Sequence, residues 1–255
     1  MKIIIVCLIL MSSMSAFSED GRHLMERSEE TTKSLTEKSL FKMDIFDQDK
    51  KLVQSRDMEF LYKHETDKEV SLIKFISPPI LQGTGLLIED RNNEANDIWL
   101  YLPATRKLRR VSGSEKTNWF MGTEFTHEDF EDYKIDLYKF SIVKETACGD
   151  SRCIVILAEP DNNHELEASG YSKKIYYIDI PSQYPVAIEY FDHSGELIKR
   201  LTASSIKREG NYWRPQVIKM ENMVNKRVTQ LTIKERALDI TLDNYYVSSR
   251  YLRAD

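Results

Sequence analysis

Residues 97–132 read DIWLYLPATRKLRRVSGSEKTNWFMGTEFTHEDFED, and the fold of the chain can be worked out from them. Ile98, Leu100 and Leu102 fall on one face of an extended segment and Trp99 and Tyr101 on the other, the period-two pattern of a pleated surface. Pro103 ends that run. Residues 107–112 alternate again, and the short Pro-Ala-Thr-Arg connection suits a hairpin. Beyond it, Ser112-Gly113-Ser114 is a flexible link, and Trp119, Phe120 and Met121 stand beside Gly122 outside any strand or helix period, with Phe125 close behind. Large apolar groups in a loop need a surface to cover. Either they plug one end of the protein's own core, or they form a lid or rim over an apolar ligand.

Residues 1–18 read as an export leader. Lys2 is a minimal positive region, residues 3–10 are uninterruptedly apolar, and Ala16-Phe17-Ser18 puts small residues where a signal peptidase reads, so cleavage is expected after Ser18. The apolar run is too short to span a bilayer of about 30 Å, and Cys7 inside it is poorly placed for lipid attachment. The remainder, residues 19–255, fits a single domain, with no Pro-, Gly- or Ser-rich linker and no internal repeat. The chain holds 36 Lys and Arg against 41 Asp and Glu. Such an acidic balance argues against nucleic acid as a general partner, because phosphate binding needs clustered positive charge.

Asp20 is placed to cap a helix carrying Leu24, Met25, Ser28, Thr32 and Leu35. The period then switches to two. Residues 40–46 and 52–62 flank a turn, 69–76 follow, Pro78-Pro79 breaks the ladder, and 86–89 make a short apolar strand. The second half repeats the pattern over 135–145, 153–159, 171–180, 185–191, 197–207, 212–222 and 227–238, with a strong turn at Asp192-His193-Ser194-Gly195. About eleven strands and one or two helices predict a mainly β protein built on one large, strongly curved antiparallel sheet. So wide a sheet has too few helices to bury both faces. Its inner face either closes as a barrel or holds something else.

Three segments carry a resemblance. W-L-Y-L-P (99–103), R-R-V-S-G-S (109–114) and F-M-G-T-E-F-T-x-E-D (120–129) closely resemble the signature of outer membrane lipoprotein-sorting proteins, relatives of the LolA periplasmic carrier. Residues 75–87 resemble that family's F-x-x-P-x-x-x-G-T-x-L segment, and residues 190–202 its Y-x-D-x-x-G-x-L-x-K segment. His127 stands where the family commonly has tyrosine, and Trp119 where small polar residues are usual. The resemblance implies a half-open β-barrel with a helical lid over an apolar cavity, and a periplasmic, monomeric carrier of acyl chains from a lipoprotein or lipid. Burying a chain of about fourteen methylenes is worth roughly 11 kcal/mol, so leaving a membrane requires a shielding partner. Trp99, Tyr101, Trp119, Phe120, Met121 and Phe125 are the candidate cavity or lid residues. An inner-membrane transporter and an outer-membrane acceptor are the implied partners, reached through transient membrane contact. The alternative is a sensor of the same fold that binds lipid or envelope proteins and controls a membrane partner.

Other constellations are weaker. Cys148 and Cys153 enclose four residues between two strands, and outside the cytoplasm a disulfide is their expected state; a redox pair would normally enclose two. The five histidines are scattered, His127-Glu128 lacks a second histidine four positions on, and neither a metal nor a cofactor is expected. No nucleophile motif appears, so the protein is not expected to be an enzyme. Glu128, Asp129, Glu131 and Asp132 read as a solvated helix start or turn. Arg106, Lys107, Arg109 and Arg110 are either a solvated face or a docking patch for an acidic partner or anionic headgroups. Tyr176 and Tyr177 point to opposite faces of one strand and cannot both line one cavity.

Overall fold

The computed structural model describes residues 13–91, 96–131 and 134–254. Residues 1–12 of the expected leader lie outside them, as does Asp132. Helix α1 (Ser13–Thr32) runs through Asp20, so the helix does not start at the position expected from the sequence. The first meander follows: β1 (Thr36–Phe46), β2 (Leu52–His64), β3 (Lys68–Ser77), β4 (Gly85–Arg91), β5 (Asp97–Leu102) and β6 (Lys107–Arg110). The second is β7 (Tyr138–Cys148), β8 (Ser151–Pro160), helix α2 (Asn163–Ala168), β9 (Lys173–Asp179), β10 (Pro185–Phe191) and β11 (Leu197–Ser204). A small hairpin, β12 (Lys207–Glu209) and β13 (Tyr212–Arg214), precedes β14 (Val217–Asn222), β15 (Val228–Leu238) and helix α3 (Ser249–Leu252).

Thirteen strands form one antiparallel sheet in the order β6-β5-β4-β3-β2-β1-β15-β14-β11-β10-β9-β8-β7. The first and last long strands pair in the middle, Met43 opposite Leu231, and the sheet stays open with β6 and β7 as its edges. The described residues hold fifteen strands and three helices, against about eleven strands expected; the individual stretches read as strands number thirteen, and two of them each break in two. Residues 197–207 part at Ser205, whose φ is 53°. Residues 212–222 part at Pro215, which has no N–H to donate. Residues 135–137 form a 3-10 turn ahead of β7.

Two layers cover the sheet. On the concave face a cluster of Met43, Met58, Phe75, Leu86, Ile98, Leu100, Met220 and Leu231 spans both meanders, and Leu24 and Met25 of α1 pack on Phe140, Ile156 and Tyr176 beside it. On the convex face Leu61, Leu72, Leu87 and Tyr101 lie under Leu242, Val247 and Leu252 of the C-terminal segment. The disulfide between Cys148 and Cys153 is present, with Cα atoms 5.8 Å apart, tying the end of edge strand β7 to β8. None of the described helices is long and apolar enough to cross a membrane.

Gly85 opens β4 against β3 at the point where α3 lies over the sheet. A Cβ there would overlap the Ile73 carbonyl oxygen and come within 2.8 Å of Leu252 Cδ1. Gly85→Ala is therefore expected to cost about 1–3 kcal/mol of stability through overpacking, read as a lower urea midpoint at unchanged m-value. An unchanged midpoint would mean that β4 moves aside freely.

Candidate functional site

The chain leaves one edge of the sheet at β6 and re-enters at the other edge in β7, so residues 111–137 must cross the open side. That crossing is why apolar residues occur there outside any period. It starts with a capping box, Ser112 N–H donating to Glu115 Oε2 at 2.9 Å; that bond, the Ser112 hydroxyl and Arg109 hold the Glu115 carboxyl below its ordinary range. It then dips inward. Phe120 is fully buried, stacked on Phe75 at 5.6 Å between centroids and edge-on to Phe130 at 5.2 Å, while Phe125 stacks on Phe130. The dip reverses at Met121 and Gly122, both in left-handed backbone at φ 48° and 73°, which suits glycine and strains other residues. Phe120 N–H donates to Phe125 O at 2.7 Å to close it.

Polar groups fix the crossing segment to the sheet. Lys174, Tyr190, Lys199 and Asn222 are successive register partners across β9, β10, β11 and β14, forming a row on a largely apolar face. Asp129 forms an ion pair with Lys199, both side chains essentially without solvent contact, and also accepts from Tyr171 Oη at 2.9 Å and from Thr126 N–H at 2.7 Å. Burial pulls the Lys199 ammonium down while Asp129 and Glu128 oppose that shift; burial first, then Asp129, pushes Tyr171 well up. Glu124 accepts from Asn222 Nδ2 at 2.9 Å and lies 3.0 Å from Arg227 Nε. Glu128 accepts from Ser169 Oγ and from Gly170 N–H. Glu131 pairs with Lys116 at 2.7 Å, and burial raises its carboxyl. Of the carboxylates expected on a solvated helix start or turn, Asp129 has its side chain buried, Glu128 and Glu131 are partly buried, and all three are bonded, because the turn faces inward.

The structure divides the candidate lid residues. Phe120 and Phe125 are core, Met121 is half-buried, and Trp119 is 46% exposed at the rim. Trp99 and Tyr101 face the convex side, where Trp99 lines a cleft of about 430 Å³ with Val70, Leu87 and Val247; strand alternation turns them from the concave face that Ile98 and Leu100 occupy. Arg109 pairs with Glu115 and Arg110 with Asp97, while Arg106 is an exposed left-handed cap after Pro103–Thr105. Tyr176 packs inside against α1, and Tyr177 donates to Glu189 on the other face.

Sequence reasoning missed Lys174 and Lys199. Lys174 shares its strand face with Tyr176 and Ile178, and Lys199 with Ala203, so strict alternation would have turned both inward. Lys174 opens into a cleft of about 1020 Å³ between α1, α2 and the crossing segment. Eight carboxylates and five cationic side chains line that cleft; it is not the apolar cavity that the resemblance implies. The apolar concave face is instead filled by Phe120, Phe125 and Phe130. Among the described residues no cluster of His, Cys, Asp and Glu suits a metal.

A model for a family described as an uncharacterized protein matches residues 67–254. No curated protein matches. Among solved structures, an outer membrane lipoprotein-sorting protein domain from Vibrio parahaemolyticus superposes with a TM-score of 0.85 at 24% identity, covering 93% of this chain and 100% of that one. A DUF1329 family protein from Desulfovibrio piger gives 0.86 at 23%, covering 92% and 99%. A LolA superfamily protein from Nitrosomonas europaea gives 0.71 at 16%, covering 91% and 98%. These likenesses establish the fold as LolA-like, an open antiparallel sheet that does not close into a barrel.

Two outcomes follow from the buried groups. Lys199→Met strands Asp129 without its cation and is expected to cost about 3–5 kcal/mol in urea unfolding; Lys199→Met with Asp129→Asn should recover most of that loss, and a double variant no better than the single would mean that the pair is not the determinant. His127 Nδ1 donates to Asn118 O at 3.0 Å, and burial depresses its pKa from 6.5. The unfolded chain then binds the proton more readily, so stability is full above about 6.5 and declines as pH falls from there towards the depressed value. His127→Gln should flatten the loss of urea midpoint between pH 7 and 5; parallel profiles would assign it to other groups.

Proposed function

The chain belongs to a LolA-like family, and from that premise we propose that it is an exported, periplasmic carrier that holds acyl chains of a lipoprotein or lipid for transfer towards the outer membrane. The observation that carries this reading is the composition of the inner layer. An apolar concave face is covered in part by a crossing loop, whose Phe120, Phe125 and Phe130 occupy volume an acyl chain would need. A ligand enters by displacing those rings. Exposing three phenylalanines costs roughly 5–9 kcal/mol, and sheltering an acyl chain of about fourteen methylenes contributes roughly 11 kcal/mol. The two are of one order, which is the condition for both loading and release.

On this reading the protein binds and does not catalyse. The leader is removed after Ser18, contact with membranes is transient, and an inner-membrane transporter and an outer-membrane acceptor are the partners. Gentle periplasmic extraction followed by native mass spectrometry should show a chain starting at Glu19 with a lipid-sized adduct. A bare mature mass alone would count heavily against the carrier.

A further inference from the structure

The polar row on the concave face is incomplete at one end. Lys199 meets Asp129, and Asn222 meets Glu124. The Lys174 ammonium makes no hydrogen bond or ion pair with any described residue, although the residue is only 9% exposed. Its ammonium stands among the rings of Tyr171, Tyr138 and Tyr190, at 5.2, 5.6 and 5.8 Å from their centroids, and it opens into the cleft of about 1020 Å³. A buried ammonium has three donors to satisfy, and aromatic faces supply no directional acceptor.

The rest of the lining narrows what that acceptor can be. The other four cations each have a carboxylate: Arg22 with Glu26 and Asp136, Lys33 with Glu29 and Glu69, Lys116 with Glu131, and Lys134 with Asp90. Carboxylates still exceed cations by three over the whole lining. A polyanion would meet that excess, and a lone anion would unbalance the interior set of Lys174, Lys199, Glu128 and Asp129, which is neutral as it stands. A ligand with one negative and one positive pole avoids both penalties. Glu165, which meets no lysine or arginine and whose side chain is 25% exposed, is available to the positive pole. The volume, at the upper end of the roughly 300–1,000 Å³ of ligand sites, is far larger than a free amino acid fills.

We propose that this cleft binds the phosphoethanolamine headgroup of a phospholipid, its phosphodiester on Lys174 and its ammonium towards Glu165. The inference rests on the carrier reading and gives it a cargo class: the headgroup lies in the polar cleft while the acyl chains pass to the concave face beside it. Tyr138, Tyr171 and Tyr190 around Lys174 form the boundary between the two.

Calorimetric titration of the full chain with glycerophosphoethanolamine, which lacks acyl chains, tests this separately from acyl binding. It should bind at least tenfold more tightly than glycerol 3-phosphate, ethanolamine or alanine, and Lys174→Met should weaken it at least tenfold. Glu165→Lys, on an exposed short helix, should lose the preference for glycerophosphoethanolamine over glycerol 3-phosphate, and it decides the matter should Lys174→Met fail to fold. Equal affinity in Lys174→Met and wild type, or no binding of glycerophosphoethanolamine at millimolar concentration, overturns the assignment. Glycerol 3-phosphate or alanine matching it would overturn it too, in favour of a simple anion or a free amino acid. A lipid adduct in native mass spectrometry without headgroup binding sinks this inference alone; headgroup binding with no adduct sinks the acyl carrier alone.

Discussion

An antiparallel sheet whose two edges never meet has to bury its concave face with something other than sheet, and here the topology dictates what that is. The two meanders join through the central pairing of β1 with β15, which leaves β6 and β7 at opposite edges of thirteen strands. The chain between them has one short route, across the open side. Val111, Phe120, Phe125 and Phe130 on that route are therefore turned inward, and they complete a core beside the one that α1 closes. A short hairpin at this point would have left the face exposed, and an exposed apolar face of that width is an aggregation hazard.

Apolar packing alone would leave such a loop free to slide, since rings of similar size can exchange places at little cost. The Asp129–Lys199 pair removes that freedom. Two charges taken out of water gain little net stability even when paired, but each is costly without the other. The pair therefore acts chiefly on position, fixing which residue of the loop meets which strand. Tyr171 and Thr126 donate to the same carboxylate, so Asp129 is held from three sides.

Much of this was legible from sequence, and the reason for each failure is specific. Period-two alternation located nearly every strand because each has one face in the core. The same rule separated Trp99 and Tyr101 from Ile98 and Leu100 without saying which pair was inside, since both faces of β5 are covered, one by the crossing segment and one by the C-terminal segment. Asp129 and Lys199 close two of the segments that carry the family resemblance, F-M-G-T-E-F-T-x-E-D and Y-x-D-x-x-G-x-L-x-K. Both residues were in view, yet they lie seventy positions apart, and a contact at that separation is created by strand order, which local patterns do not encode. Lys174 carries no motif at all. Its place follows only from counting inward from Tyr176 and Ile178 along one strand face.

The cleft and the filled apolar face are joined through three consecutive residues. In the 3-10 turn Glu128–Phe130, Glu128 anchors the α2–β9 connection through Ser169 and Gly170 at the wall of the cleft. Asp129 holds Lys199, and Phe130 packs against Phe120 and Phe125. A backbone displacement of so short a turn carries all three side chains, so a movement of the loop that withdraws Phe130 also shifts the cleft wall at Glu128. Coupling of this kind is reciprocal: whatever occupies the cleft biases the loop, and whatever displaces the loop changes affinity in the cleft. The polar cleft and the apolar face therefore meet at one half-buried turn, in a run that the sequence alone presented as solvated and acidic.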